Sequence, residues 1–177
     1  MSGQQISLGD SITIRPLLPT DSLVELTQLL HRAYAGLAAM GLRYMATHQS
    51  VEVTRSRVEN GECFVALTDG AVCGTIVFKN TERTRGCPWY DRPDVASFGQ
   101  FGVDPLLQAA GIGRRLMALA EERARVSGAS EIALDTAEPA HHLIGWYTRL
   151  GYRHIEYADW KHTNYRSVIM SKTLVAS

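Results

Sequence analysis

Phe101-Gly102-Val103-Asp104-Pro105-Leu106-Leu107-Gln108-Ala109-Ala110-Gly111-Ile112-Gly113-Arg114-Arg115-Leu116 runs from a β-rich segment ending at Asp104-Pro105, through a loop of small residues, into an amphipathic helix. A phosphate cradle needs this order. The N–H groups of a first helical turn have no intrahelical partners and converge, the macrodipole makes that point positive, and glycine leaves the backbone open to an anion. Gly111 and Gly113 meet that need. Arg114 and Arg115 occupy the first turn, where the dipole disfavours a cation by about 0.3–1 kcal/mol unless an anion is held there. A plainer account also fits, in which the glycines only turn the chain and the arginines are solvated. Two nucleotide motifs are excluded: no Gly-Lys-Ser/Thr follows, as a P-loop requires, and Leu116 stands where GxGxxG needs its third glycine.

Outward from this stretch, Val95 to Val103 reads as a buried strand, Gly111 to Ser127 as a helix closed by Gly128, and Glu131 to Asp135 as the next strand. Strand, helix, strand implies a parallel crossover. Upstream, Cys63 to Leu67 and Val72 to Phe78 form a hairpin through Asp69-Gly70. Ile12, Ile14 and Leu17 alternate around Pro16 as a short edge strand. Ser22 and Glu25 make a capping box ahead of a leucine stripe from Leu23 to Leu37, and a second helix from Ser50 to Glu59 stops at the C-cap pair Asn60-Gly61. Downstream, Pro139 opens a helix with Leu143, Ile144, Tyr147 and Leu150 on one face and Gly151 after its end. Tyr152 to Asp159 and Tyr165 to Leu174 are the last β-like segments.

The 177 residues suit one domain, and residues 1–10 read as a loose lead-in. Lysine and arginine total 18 and so do aspartate and glutamate, which leaves no overall field toward nucleic acid or a membrane. The N-terminal residues lack a signal-peptide pattern, and no apolar run approaches the ~18 residues of a membrane helix. Cys63, Cys73 and Cys87 lack CxxC spacing, which points away from a disulfide framework or zinc site and toward the cytoplasm. No metal is expected.

Gln108-x-x-Gly111-x-Gly113, after Val103-Asp104-Pro105, resembles the Q/R-x-x-G-x-G/A pyrophosphate loop of GNAT acetyltransferases. A second block, Trp146-Tyr147-Thr148-Arg149-Leu150-Gly151-Tyr152, resembles the family's helix that ends in Tyr, three residues, then Gly-Phe or Gly-Tyr. The resemblance implies an α/β (α+β) fold: a mixed, mostly antiparallel central sheet of about six to seven strands, flanked by about four helices, with acetyl-CoA in a V-shaped opening between two parallel strands. It places Phe101, Gly102 and Val103 along the pantetheine arm, and Gln108 with the amides of Ala109, Ala110, Gly111, Ile112, Gly113 and Arg114 around the pyrophosphate. It casts Tyr147 as the acid that protonates the departing thiolate.

Acetyl transfer from acetyl-CoA to an amine needs that amine neutral. Deprotonating a lysine-like amine at pH 7 costs about 4–5 kcal/mol, an α-amine only about 1 kcal/mol. Many relatives carry a glutamate on the central strand for this purpose, yet Ala96 to Val103 holds no acid. Glu82, Asp91, Asp94, or water reached through Ser97 or Gln100, are the substitutes, and none is singled out. Ala140 stands seven residues before Tyr147, where the family often has Asn, and His141 and His142 follow it. Cys87 reads as a bystander thiol. Arg43, Tyr44, Trp89 and Tyr90 are large enough to shape an acceptor pocket, though aromatics there also serve to pack the loop down. Residues 160–166 either close the opposite wall or serve a homodimer interface. The expected acceptor is a small-molecule amine, the runner-up a protein N-terminus or lysine, and the rival from another class is a non-catalytic CoA-binding regulatory module.

Overall fold

In the computed structural model, which describes residues 11–175, Asp69-Gly70 joins β2 (Glu62–Thr68) to β3 (Ala71–Lys79). Asp69 and Gly70 take φ of 49° and 76°, the two left-handed positions a type I′ hairpin demands. Residues 1–10, expected as a lead-in, lie outside the described residues. β1 (Thr13–Pro16) pairs antiparallel with β2 at the sheet edge, a position that tolerates proline. β3 pairs antiparallel with β4 (Val95–Val103), and α3 (Ile112–Val126) crosses from β4 to β5 (Glu131–Ala137), which runs parallel to it. β7 (Ser167–Thr173) enters between β5 and β6 (Arg153–Ala158), giving the order β1-β2-β3-β4-β5-β7-β6. Among the described residues seven strands thus form the mixed, mostly antiparallel sheet expected, flanked by four α-helices, with one parallel pair near its middle.

α1 (Leu23–Ala39) starts where the capping signal lies: Ser22 Oγ accepts from the Glu25 amide at 3.1 Å. Its Leu26 and Leu29 pack with Val65 and Val77 on one face of the sheet. On the other face, Ile112, Leu116, Met117 and Ala120 of α3 pack with Ile76, Phe78, Phe98, Ile132 and Leu134. The sheet is therefore covered on both sides. α2 (Val51–Glu59) is capped by Ser50 and ends, as expected, at the C-cap Asn60, with φ −85° and no left-handed turn. Gly61 serves another need: a Cβ there would lie 2.4 Å from the Phe78 carbonyl oxygen. α4 (His141–Arg149) does end on a left-handed glycine, Gly151, at φ 96°.

What positions the site is a divergence of β4 from β5. Their parallel pairing holds at Val95↔Glu131, Ala96↔Ile132 and Ser97↔Ala133 and then stops. Across β4, Val77 faces Gly99 while Thr75 faces Gly102, so β4 carries one residue more than β3 over that interval. Gln100 takes φ 47° there, and Gln49 Nε2 donates to its Oε1 at 2.8 Å. This bulge bends β4 as such insertions do, and the far ends of β4 and β5 separate.

Candidate active site

The loop after β4 builds one end of the site. Asp104 Oδ1 accepts from the Leu106 amide at 3.0 Å and opens a 3₁₀ turn over Pro105–Ala110. Gly111 then turns with φ 77°, and the first backbone bond of α3 runs from the Arg115 amide to the Gly111 carbonyl at 3.2 Å. The amides of Ile112, Gly113 and Arg114 therefore precede the helical ladder and form its positive end. A Cβ at Gly111 would meet nothing within 4 Å, whereas one at Gly113 would stand 3.3 Å from Phe101 Cζ and 3.5 Å from the Trp146 ring. Space for an anion is thus kept open, and a side chain at position 113 would close it. Arg114 and Arg149 border the same cavity of about 620 Å³, which suits a phosphate-bearing ligand. Arg115 does not: its guanidinium turns away to the Ile12 carbonyl at 3.4 Å. Ile112 is wholly buried in the core, so only its amide is available, and Ala110 packs against that core.

Phe101, Gly102, Val103, Gln108 and Ala109 continue along the cavity. α1 lies so close over β4 that a Cβ at Gly102 would come within 2.8 Å of Ala33 Cβ. Tyr34 from α1 donates to the Phe101 carbonyl at 2.7 Å. Trp146 stacks on Phe101 with ring centroids 6.1 Å apart, and Tyr147 lies beside Trp146 at 5.3 Å. Tyr147 is 7% exposed and also borders the cavity. Burial, reinforced by Tyr34, Tyr44 and Asp135, raises the Tyr147 phenol well above its ordinary range. It therefore stays protonated at neutral pH, and no hydrogen bond ties its hydroxyl to another described residue.

Sequence reasoning missed the carboxylate. Asp135, on the separated part of β5, borders the cavity and shares the sheet face of Ala133. Tyr90 donates to Asp135 Oδ1 at 2.9 Å and Trp160 Nε1 to Oδ2 at 3.1 Å, so both oxygens are oriented. Tyr44 is held at the end of β5, accepting from the Ala137 amide at 2.8 Å and sharing a 2.8 Å bond with Thr136 Oγ1. Tyr34 and Tyr165 flank it at 5.4 and 4.9 Å between ring centroids. The signal available was an acid, Asp135, placed beyond the apolar run Ile132–Leu134 of a strand in a parallel crossover.

The remaining expected residues divide. Tyr44 borders the cavity, and Tyr90 reaches it through Asp135. Arg43 and Trp89 stand outside it. Arg43 engages through its main chain, its amide donating to Asn164 Oδ1 at 2.8 Å. Trp89 pins its loop to β6: its amide donates to Glu156 Oε1 at 2.9 Å, and the Arg92 guanidinium covers its ring at 4.2 Å. Residues 160–166 pack beside this end of the cavity: Trp160 Nε1 donates to Asp135, Asn164 Nδ2 to the Gly41 carbonyl, and Tyr165 lies against Tyr44. Among the candidate bases, Asp91 caps the Gly86 amide, Asp94 binds Arg92 and Ser130, Ser97 pairs with Thr84, and Glu82 is exposed away from the cavity. Ala140 is buried among Leu37, Leu42 and Ala137, so apolar packing stands in place of polar contacts there, while His142 borders the cavity. Cys87 is buried and its thiol is pushed up to about 11, chiefly by that burial, which leaves it a poor nucleophile. Among the described residues no cluster of His, Cys, Asp or Glu has the arrangement of a metal site, and no helix is long and apolar enough to cross a membrane.

A profile of the acetyltransferase (GNAT) family matches residues 23–152, from the start of α1 to the end of the α4 block. The chain belongs to the GNAT acetyltransferase family. The S-(2-succino)cysteine N-acetyltransferase of Bacillus subtilis (strain 168) is 29% identical over 133 residues, covering 72% of this acetyltransferase and 76% of the relative. The fold is shared with the ribosomal-protein-S18-alanine N-acetyltransferase of Escherichia coli, at TM-score 0.68, 19% identity, and 94% and 96% coverage of the two chains. It is shared also with a GNAT family acetyltransferase from Elizabethkingia anophelis solved with acetyl-CoA bound, at TM-score 0.65, 17% identity, and coverage of 93% and 99%.

Proposed function

We propose that this acetyltransferase, acting as one domain in the cytoplasm, moves an acetyl group from acetyl-CoA directly to the primary amine of a small molecule. The observation that carries the reading is one cavity with a phosphate cradle at Gly111–Arg114 and the Tyr147 phenol and Asp135 carboxylate on its borders. Acetyl-CoA supplies the acetyl group as a thioester. The chain's residues do the rest. The amides of Gly111 to Arg114, with Arg114 and Arg149, hold the pyrophosphate, and the unpaired edge of β4 from Phe101 to Val103 lies along the pantetheine amides. Asp135 takes the proton of the incoming amine as the N–C bond forms. Tyr147 gives its proton to the sulfur as the C–S bond breaks. The acidic and phenolic groups on the cavity border favour transfer over a purely regulatory CoA-binding module.

A small acceptor is supported by the acceptor side itself. Tyr44 borders it, Tyr165 packs on Tyr44, and Trp160 donates to Asp135, so residues 160–166 lie beside it. The relative's named substrate, a modified cysteine, is also a small amine. The three cysteines are free and buried, in keeping with a reducing compartment. Calorimetric titration of acetyl-CoA tests the reading. Saturable binding that Gly113→Glu abolishes is expected, because the longer side chain fills the space beside Phe101 and Trp146. No binding at high micromolar acetyl-CoA would overturn it.

A further inference from the structure

The sheet face that carries Asp135 continues past the cavity described above. Lys79, Ser97 and Ala133 are consecutive partners across β3, β4 and β5, so their side chains share one face. Asp135 is two residues beyond Ala133 on that face. Gly99, two residues beyond Ser97, is its counterpart on β4, and a Cβ at Gly99 would meet nothing within 4 Å. The floor between Asp135 and β3 is therefore open there. From the register, the Cα atoms of Lys79 and Asp135 are roughly 12 Å apart.

Lys79 is half-buried, and neither it nor Arg57 of α2 makes an ion pair among the described residues. Other cations at the rim of this face do have partners: Arg92 binds Asp94 at 2.8 Å and Arg153 binds Glu131 at 3.0 Å. A lysine held partly out of water without a counter-ion is costly unless something anionic comes to it. Burial and the nearby Arg57 both depress the Lys79 ammonium, while Asp135 acts in the opposite sense.

We propose that the groove over Gly99 recognises an acidic amine, with its amino group at Asp135 and a carboxylate several bonds away at Lys79 and Arg57. The ligand class is an amino acid with an anionic side chain. A plain alkylamine would leave the two cations unanswered, and a polyamine would be repelled by them. The inference rests on the acetyl-transfer reading above and narrows its acceptor.

The test compares S-(2-carboxyethyl)cysteine with S-(2-carbamoylethyl)cysteine, which match in shape and differ by one distal charge. Free thiol release gives kcat/KM for each with wild type, Lys79→Gln, Arg57→Gln and Lys79→Arg, and acetyl-CoA binding is measured by calorimetry on every variant. The wild type is expected to prefer the carboxylate at least 30-fold. Lys79→Gln and Arg57→Gln should each shrink that preference about tenfold through KM, and Lys79→Arg should restore most of it. Equal use of both compounds, turnover of neither, or a preference that both substitutions leave intact would overturn the assignment. If acetyl-CoA still binds in those cases, the acetyl-transfer reading survives and only the acceptor class falls. If the wild type does not bind acetyl-CoA, both fall.

Discussion

The Tyr90 hydroxyl donates to Asp135 Oδ1 at 2.9 Å, joining a loop residue to a strand residue 45 positions away. Tyr90 is buried, and burial together with Asp135 raises its phenol well above the ordinary range, so it remains a donor at neutral pH. The carboxylate is thereby aimed rather than merely present. Asp135→Asn is expected to lower kcat/KM by about 10²–10³-fold, the scale of a lost general base. The loss should be larger for an amine of pKa near 10 than for one near 8, because the first needs more help to lose its proton. Rates across a series of amines check this; an equal loss throughout would assign Asp135 a purely structural part. Tyr90→Phe should cost only about 3–10-fold, through orientation.

Tyr147→Phe should separate chemistry from folding. Because no hydrogen bond holds the Tyr147 hydroxyl among the described residues, removing it forfeits no protein contact. The melting temperature is expected to stay within about 2 °C of wild type and acetyl-CoA affinity within about twofold. Single-turnover rate should nevertheless drop about 10–100-fold. Thermal scans, calorimetry and rapid quench on one preparation give all three quantities.

Gly61→Ala probes packing far from the cavity. The new Cβ would stand 2.4 Å from the Phe78 carbonyl oxygen and 2.7 Å from Val77 Cγ1, distances that require the backbone to move. A destabilisation of about 1–3 kcal/mol is expected, with kcat per folded molecule unchanged. Urea titration followed by fluorescence measures it.

Glu131 governs part of the acid limb of stability. Burial alone would raise its carboxyl, but Arg153 at 3.0 Å, Ser171 at 2.7 Å and Thr173 at 2.8 Å outweigh that and hold it below the usual carboxylate range. The folded state thus binds the proton less tightly than the unfolded chain. Its contribution is complete above the unfolded value near pH 4.5 and disappears as pH falls through the lowered folded value. Glu131→Gln should cost about 1–2 kcal/mol at pH 7, and its stability curve should converge on that of wild type as pH falls through the lowered folded value. Chemical denaturation at several pH values tests the convergence.

What was legible in the sequence was local. Asp69-Gly70 names its turn because φ must be positive at both residues, and Gly111-x-Gly113 marks the open start of α3 because helix N-terminal amides behave alike wherever they occur. Ser22 and Ser50 mark helix starts for the same reason. The proposed base was hidden because its position depends on pairing. Asp135 sits where a strand was expected to end, and only the divergence of β4 from β5 turns it toward the cavity. Trp89 and Arg43 lie outside the cavity, and size alone does not say which side of a loop faces inward. Cation–π contact and a main-chain bond to Asn164 fix them elsewhere. The insertion of β7 between β5 and β6 is a long-range choice with no local signature.

The three residue pairs that join β4 to β5 leave the sheet sewn at one end only. On one side of that seam lie β1 to β4, on the other β5, β7 and β6. A chain-like ligand that laid its amides along the open edge would act as a removable strand, a dowel between two leaves of one sheet. Amide exchange along Phe101 to Val103 and Asp135 to Ala137 should then slow more than anywhere else when the dowel is in, and the molecule should be stiffest at the moment it is loaded.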